Sequence, residues 1–269
     1  VQTWLSFHFY PLETQEIFLA RAVKPFLAQY IWPTKGARAF FTRYEDARGP
    51  HVRLRLRGES AWVEETLRPA FEGWMADRGE WVEVDYVPEN ERFGGEEAMA
   101  WSEEYFHVSS RVVLDRLSSE AFTYGDALFD ALRMHAMTVF AAGFDREKAA
   151  WYFGQLCEQW LPLFFQPGEE DSIENVRTEV LAGFAQNFEP QKGSLQESLT
   201  ELWAALEAGK LDTNRPEWAR WLQGNQLILK ELGEKLERAL PSLIHLNNNR
   251  LGVNNQDEVY LNFILSKVL

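Results

Sequence analysis

The sequence predicts an α+β protein, a ferredoxin-like βαββαβ antiparallel sheet followed by a mostly helical half. Three observations carry that expectation. Residues 3–10 and 49–58 alternate apolar and polar side chains, the period of a half-buried strand, and the aromatic-rich stretch 38–44 lies between them. Residues 14–30 and 61–76 place apolar side chains at helical spacing between and after those strands. From Gly95 onward helical periodicity runs almost without a break, punctuated only by Gly and Pro.

In the first strand Leu5, Phe7 and Phe9 alternate with Trp4, Ser6, His8 and Tyr10. A helix follows through Ile17, Phe18, Ala22 and Phe26, and Trp32-Pro33-Thr34-Lys35-Gly36 ends it with breakers. The aromatic second strand turns at Glu45-Asp46-Ala47-Arg48 into the third, and so short a loop requires antiparallel pairing. In the third strand Val52, Leu54 and Leu56 alternate with His51, Arg53, Arg55 and Arg57, giving one apolar face and one cationic face. A helix through Val63, Leu67, Phe71 and Trp74 leads to a fourth strand expected over 81–87. Helices are expected over 98–117, 124–142, 146–164, 173–188, 194–208 and 216–240, with joints at Gly143, Pro167, Gly168, Pro190 and Gly193. The expected organisation is a ferredoxin-like half, 1–94, with a helical half, 95–269, packed on it as one compact domain.

A chain of 269 residues that is 46% apolar can bury a sizeable core. No stretch reaches the ~20 apolar residues of a membrane span, and the first ten residues lack a basic start and a cleavage site, so the cytoplasm is the expected compartment. A net charge of −14 repels phosphate backbones and argues against direct nucleic-acid binding. The single cysteine, Cys157, cannot form an internal disulfide and reads as buried filler among Trp151, Leu156 and Trp160. No HExxH, cysteine cluster, P-loop or GxSxG is present, so neither a metal nor a cofactor is expected.

Three polar clusters stand out against this acidic background. In the basic strand, same-side neighbours lie about 7 Å apart, so Arg53 and Arg55 can grip one small anion or a carboxylate and a developing oxyanion, with His51 beside them. Glu89-Asn90-Glu91-Arg92-Phe93-Gly94-Gly95 enters a helix, and its glycines free backbone N–H groups next to the permanently charged Arg92. Near the C-terminus, His245-Leu246-Asn247-Asn248-Asn249-Arg250 follows Pro241 and reads as a polar loop. Of the five histidines, His245 has the surroundings best suited to proton transfer, and His51 comes second. His8, His107 and His135 read as packing or surface residues.

With these clusters in view, the chain resembles the small glutamate-elimination domain of lantibiotic dehydratases, also found as a stand-alone protein of the thiopeptide-type bacteriocin biosynthesis family. Carrying the resemblance are Phe40-Phe41-Thr42-Arg43-Tyr44, Gly49-Pro50-His51-Val52-Arg53-Leu54-Arg55, Tyr86-Val87-Pro88-Glu89 with Glu91-Arg92-Phe93-Gly94-Gly95, then Glu104 and Phe106, and His245 with Asn249-Arg250-Leu251. Phe93, Leu246 and Ser109-Ser110 depart from the usual pattern, where Tyr, Met and Asp-Ser are common.

The resemblance implies a lyase that eliminates glutamate from glutamylated Ser or Thr of a ribosomally made precursor peptide, leaving dehydroalanine or dehydrobutyrine. It places the elimination residues at Arg53, Arg55, Arg92 and His245, with His51, Arg250, Gly94 and Gly95 expected to bind substrate. A separate protein would load the peptide from glutamyl-tRNA, and a homodimer is left open. Relatives of similar length instead form a pyridine ring from two dehydroalanines and tend to lack the elimination residues; a third reading is a non-catalytic peptide-binding subunit.

Overall fold

The computed structural model describes residues 1–119, 121–164, 173–211 and 215–269; the expected joint at Pro167 and Gly168 lies outside them. In chain order the elements are β1 (Gln2–Pro11), α1 (15–30), β2 (Arg38–Asp46), β3 (Gly49–Glu59), α2 (60–75), β4 (Gly79–Glu83), α3 (Asn90–Phe93), α4 (Glu96–Leu117), α5 (Tyr124–Ala141), α6 (Arg146–Trp160), α7 (Ile173–Phe188), α8 (Lys192–Glu207), α9 (Pro216–Glu231), α10 (Leu236–Leu251) and α11 (Asn255–Val268). They form two compact units, one of residues 1–123 with 223–252, the other of 124–222 with 253–269. The chain is mixed α/β and mainly helical, with one four-stranded antiparallel sheet in the order β2-β3-β1-β4.

Register decides which side chains share a face. Leu5 pairs with Leu56, Phe7 with Leu54 and Phe9 with Val52, while Phe41 lies across from Leu54 on the other side of β3. All are buried. Phe7 stacks on Phe71 of α2 with 4.0 Å between ring centroids, and Phe9 stacks on Phe18 of α1 at 4.4 Å, so this face is covered by those two helices. Thr14 and Glu59 cap the two helices by accepting from the N–H of Ile17 and Trp62. Both helices widen to a π turn, over Leu19–Val23 and Val63–Leu67, just ahead of Pro25 and Pro69. A helical proline has no N–H for the carbonyl four residues back and collides with it; the wider turn absorbs that mismatch.

The outer edge of β2 is closed by side chains instead of a fifth strand. The N–H of Ala39 meets His107 Nδ1 at 3.1 Å, and the N–H of Phe41 donates to Ser110 Oγ at 3.2 Å, both acceptors coming from α4. From α10, Asn249 accepts from the Arg43 N–H at 2.8 Å and donates to the Arg43 carbonyl at 2.9 Å. Arg250 Nε donates to the Phe41 carbonyl at 3.0 Å. In return, Arg43 Nε donates to the Arg250 carbonyl at 3.0 Å, and its guanidinium pairs with Glu16.

Two expectations are corrected. The fourth strand is Gly79–Glu83, not 81–87. It begins at Gly79, whose φ of 152° and whose Cβ position, 2.3 Å from the Tyr10 carbonyl oxygen, admit only glycine. Its last tie to the sheet is the Val84 N–H on the Ser6 carbonyl, after which Tyr86 packs over Trp4 at 4.7 Å. The C-terminal polar run is helical, not a loop. α9 ends before a 3-10 turn at Gly233–Lys235, and α10 then carries Pro241 and Asn247-Asn248-Asn249 in its interior. Tertiary bonds override the poor propensity: Asn247 donates to the Tyr105 hydroxyl at 2.7 Å, and Asn249 ties to β2.

In the second unit α11 packs on α6 and also against α5, α7 and α8. Its Val259, Leu261, Ile264 and Leu265 are buried. Tyr124 Oη donates to Asp257 at 2.5 Å, and Arg146 donates to the carbonyls of Val268 and Leu269 at 3.0 and 2.8 Å.

Phe7→Ala is expected to lower unfolding stability by about 3–5 kcal/mol, and Asn249→Ala by about 1–3 kcal/mol, both read by urea denaturation. An Asn249→Ala protein as stable as the parent contradicts the edge role.

Candidate functional site

The second face of the sheet points away from α1 and α2. Across β3, Trp4 pairs with Arg57, Ser6 with Arg55 and His8 with Arg53; on the β2 side, Phe40 meets Arg55, Thr42 meets Arg53 and Tyr44 meets His51. The arginines along this row have different partners. Arg57 is bound by two carboxylates of α4, Glu103 at 3.2 Å and Glu104 at 2.7 Å, and Arg38 shares Glu104 at 2.5 Å. Arg53 lies against the Tyr44 ring, its guanidinium carbon 3.3 Å from the centroid, and Arg55 lies 5.7 Å from the centroid of Tyr86. Arg53 Nε and Arg55 Nη1 are shielded from solvent and have no hydrogen-bond partner. Burial first, and then repulsion from Arg53, lowers the Arg55 pKa to about 10. Tyr86 donates its hydroxyl proton to Glu103 at 2.8 Å, and burial beside that carboxylate raises its pKa. Two adjacent cations with unused, desolvated donors make a surface complementary to a small anion.

His51 closes one end of this row. It is fully buried, its Nδ1 lies 3.2 Å from the Gly49 carbonyl and 3.8 Å from Asp46, and its ring is surrounded by Tyr10, Tyr44 and His8. His8, read from sequence as packing, stacks on His51 at 5.1 Å. Burial and the charges of Arg53, Arg55 and His51 lower its pKa to about 4. Its place on the polar side of β1 was visible in the alternation, but its partner became evident only from the strand register. Tyr86 carried part of the resemblance, but its approach to Arg55 and Glu103 could not be read, because the segment after β4 was expected to be strand.

The Gly-Gly pair forms the turn between α3 and α4. Gly94 has a left-handed φ of 98°, and a Cβ there would press on Lys235 at 3.1 Å. The turn buries Phe93 against Phe106 at 5.4 Å and leaves Arg92 outside, paired with Glu89 at 3.0 Å and donating to Ser242 Oγ of α10 at 2.8 Å. The Glu89 charge also raises the Arg55 pKa, against the larger effects of burial and Arg53. His245 is half-buried on α10. Ser242, His245 and Asn249, spaced i, i+3 and i+7, share one helix face, so His245 sits between the Arg92 contact and the edge of β2. Arg250 lies in the core. It is fully buried, donates to the carbonyls of Phe41 and Leu246 and covers the Phe106 ring at 4.9 Å; burial lowers its pKa to about 9. Cys157, in the second unit, is buried, with its thiol pushed up to about 11 by burial.

A family model described as the C-terminal part of lantibiotic biosynthesis dehydratase matches residues 4–269. The chain belongs to that family. Among solved structures, the chain superposes on the pyridine synthase TbtD from thiomuracin biosynthesis with a TM-score of 0.73 at 16% identity, covering 98% of this chain and 97% of that one. It matches TsrL with a TM-score of 0.69 at 17% identity, covering 100% and 94%. It matches the tRNA-dependent lantibiotic dehydratase MibB from Microbispora sp. 107891 with a TM-score of 0.66 at 20% identity, covering 98% of this chain and 28% of MibB. At these identities the three share the family's fold with this chain. No curated protein matches. No helix among the described residues is long and apolar enough to cross a membrane.

Burial also lowers the His107 pKa to about 4 from 6.5. His8 and His107 therefore bind protons less readily in the folded state than in the unfolded one, and protonation favours unfolding. Their contribution is complete above pH 6.5 and is lost as the pH falls toward 4. Urea midpoints measured between those limits are expected to fall with pH, and the slope is expected to be shallower in a His8→Gln, His107→Gln double variant; an unchanged slope contradicts both assignments.

Proposed function

We propose that the chain eliminates glutamate from glutamylated Ser or Thr of a ribosomally made precursor peptide, on a sheet that follows the ferredoxin-like plan. The observation that carries this reading is the pair Arg53 and Arg55, whose buried Nε and Nη1 have no partner while the neighbouring Arg57 is neutralised by two glutamates. Family membership supports it.

In this reading Arg53 and Arg55 hold the free carboxylate of the glutamyl group by charge-assisted hydrogen bonds. Removal of the weakly acidic Cα proton is the difficult step, because the adjacent carbonyl takes on enolate character. Arg92, held by Glu89 and Ser242, stabilises that charge. His245 moves the proton as base or shuttle. The Cα–H electrons form the Cα=Cβ bond, the Cβ–O bond breaks, and glutamate leaves as a carboxylate that needs no proton at neutral pH. Arg250 and His51, both fully buried, position the strands behind these groups. Gly94 and Gly95 shape the turn that presents Arg92. The precursor peptide and a glutamyl-tRNA-dependent glutamylating activity are the partners this reading requires.

Pyridine formation is the second reading, favoured by the match to TbtD over 97% of that chain. Mass spectrometry of a glutamylated peptide mixed with the protein, without metal, ATP or tRNA, separates the two. Elimination predicts loss of glutamate with the peptide otherwise intact. Persistence of the glutamylated peptide overturns the proposal, and ring formation with loss of the leader from a second peptide that already carries two dehydroalanines selects the pyridine reading. Arg55→Ala and His245→Ala are each expected to slow elimination by about a hundred- to a thousand-fold while changing peptide affinity only a few-fold; equal losses in both measurements point to anchoring instead.

A further inference from the structure

His8 is the cross-strand partner of Arg53, on the polar face of the sheet. Every element around it contributes to its electrostatic setting. From β3 come Arg53, Arg55 and the His51 ring stacked at 5.1 Å, and the β2–β3 hairpin supplies Asp46 as the one acidic group acting on it. From β4 the residue opposite is Val82, while Glu80, across from Tyr10, is engaged by Arg48. Tyr10 shares its hydroxyl with Asp46, and Tyr44 lies under Arg53. Burial is the largest influence holding the imidazole neutral, and the charges of Arg53 and Arg55, both with unpartnered buried donors, come next.

We infer that an anion held by Arg53 and Arg55 draws a proton onto the His8 imidazole, so that the site takes up ligand and proton together. The inference rests on the reading of Arg53 and Arg55 as an anion site. The physical reason is reciprocity: a charge that cancels the arginines' field removes repulsion from an imidazolium, and the imidazolium in turn strengthens binding of the anion. Without ligand the ring stays neutral down to a pH of about 4. Once a carboxylate is bound, protonation becomes more favourable, and release of the product carboxylate returns the ring to its neutral state. His8 thus links the charge state of the site to its occupancy.

The test is the affinity for inorganic sulfate, which remains a dianion across the range, measured calorimetrically from pH 7.5 to 5 in buffers of different ionisation enthalpy. The wild-type protein is expected to bind more tightly as the pH falls, by up to about tenfold per pH unit where one proton is taken up, with heats that differ between buffers. His8→Gln and His8→Asn are expected to bind sulfate at pH 7.5 within about threefold of wild type and to lose the pH dependence and buffer dependence attributable to this proton. Sulfate binding with the same pH slope in the variants overturns the coupling and leaves the anion site standing. No sulfate binding at any pH, or binding unaffected by an Arg53→Met, Arg55→Met double variant, overturns the anion site and the coupling with it.

Discussion

The interaction on which the sheet-bearing unit depends is the closure of the outer edge of β2. An edge strand exposes a row of N–H and C=O groups that must be paired, covered or solvated. Here His107 and Ser110 of α4 and Asn249 and Arg250 of α10 occupy that row, so two helices far apart in sequence are held in register with one strand. Leaving a buried backbone group unpaired costs about 1–3 kcal/mol, and several such groups depend on these four side chains. The closure also fixes the position of His245. Once Asn249 is bonded to Arg43 and Ser242 to Arg92, the residue between them on the same helix face has little freedom to lie elsewhere.

Electrostatics then distinguishes the arginines along a single strand. Arg57 and Arg38 share the carboxylates of Glu103 and Glu104, and Arg43 has Glu16. In a chain of net charge −14, carboxylates are abundant, yet the shielded donors of Arg53 and Arg55 meet aromatic rings and no acid. Burial first, and then repulsion between the two like charges, lowers the Arg55 pKa. Such a pair is stabilised by an arriving anion, as the proposed recognition of a glutamyl group requires. The neutral His8 beside it follows from burial first and from the same field second.

Much of this was legible in the sequence. Alternation in β1 and β3 identified both faces of the sheet, because a period of two leaves no other assignment for Leu5, Phe7, Phe9, Val52, Leu54 and Leu56. The alternation of the basic row and the glycine turn beside Arg92 were readable from residue chemistry, and the proposal of His245 came from residue chemistry and family resemblance. What could not be read was set by tertiary bonds. Pro241 and three consecutive asparagines argue against a helix by propensity, yet Tyr105 and Arg43 hold Asn247 and Asn249 within one. Helix α11 gave no clear amphipathic stripe because Val259, Leu261, Phe263, Ile264 and Leu265 are buried around most of its circumference. Arg250 carried the chemistry of a ligand-binding residue, and only the fold reveals that its Nε and Nη1 donate to backbone carbonyls within the core. The start of β4 turned on Gly79, whose requirement arises from the Tyr10 carbonyl across the strand.

The most direct measurement is a crystal structure of the protein with a precursor peptide carrying glutamate in amide linkage to diaminopropionate, which binds as the ester would and cannot eliminate. The expected result is a glutamyl carboxylate within hydrogen-bond distance of Arg53 Nε and Arg55 Nη1, with the diaminopropionate Cα between Arg92 and His245. A glutamyl group bound elsewhere, with both arginine donors still unpartnered, would contradict the assignment of the basic row as the site of chemistry.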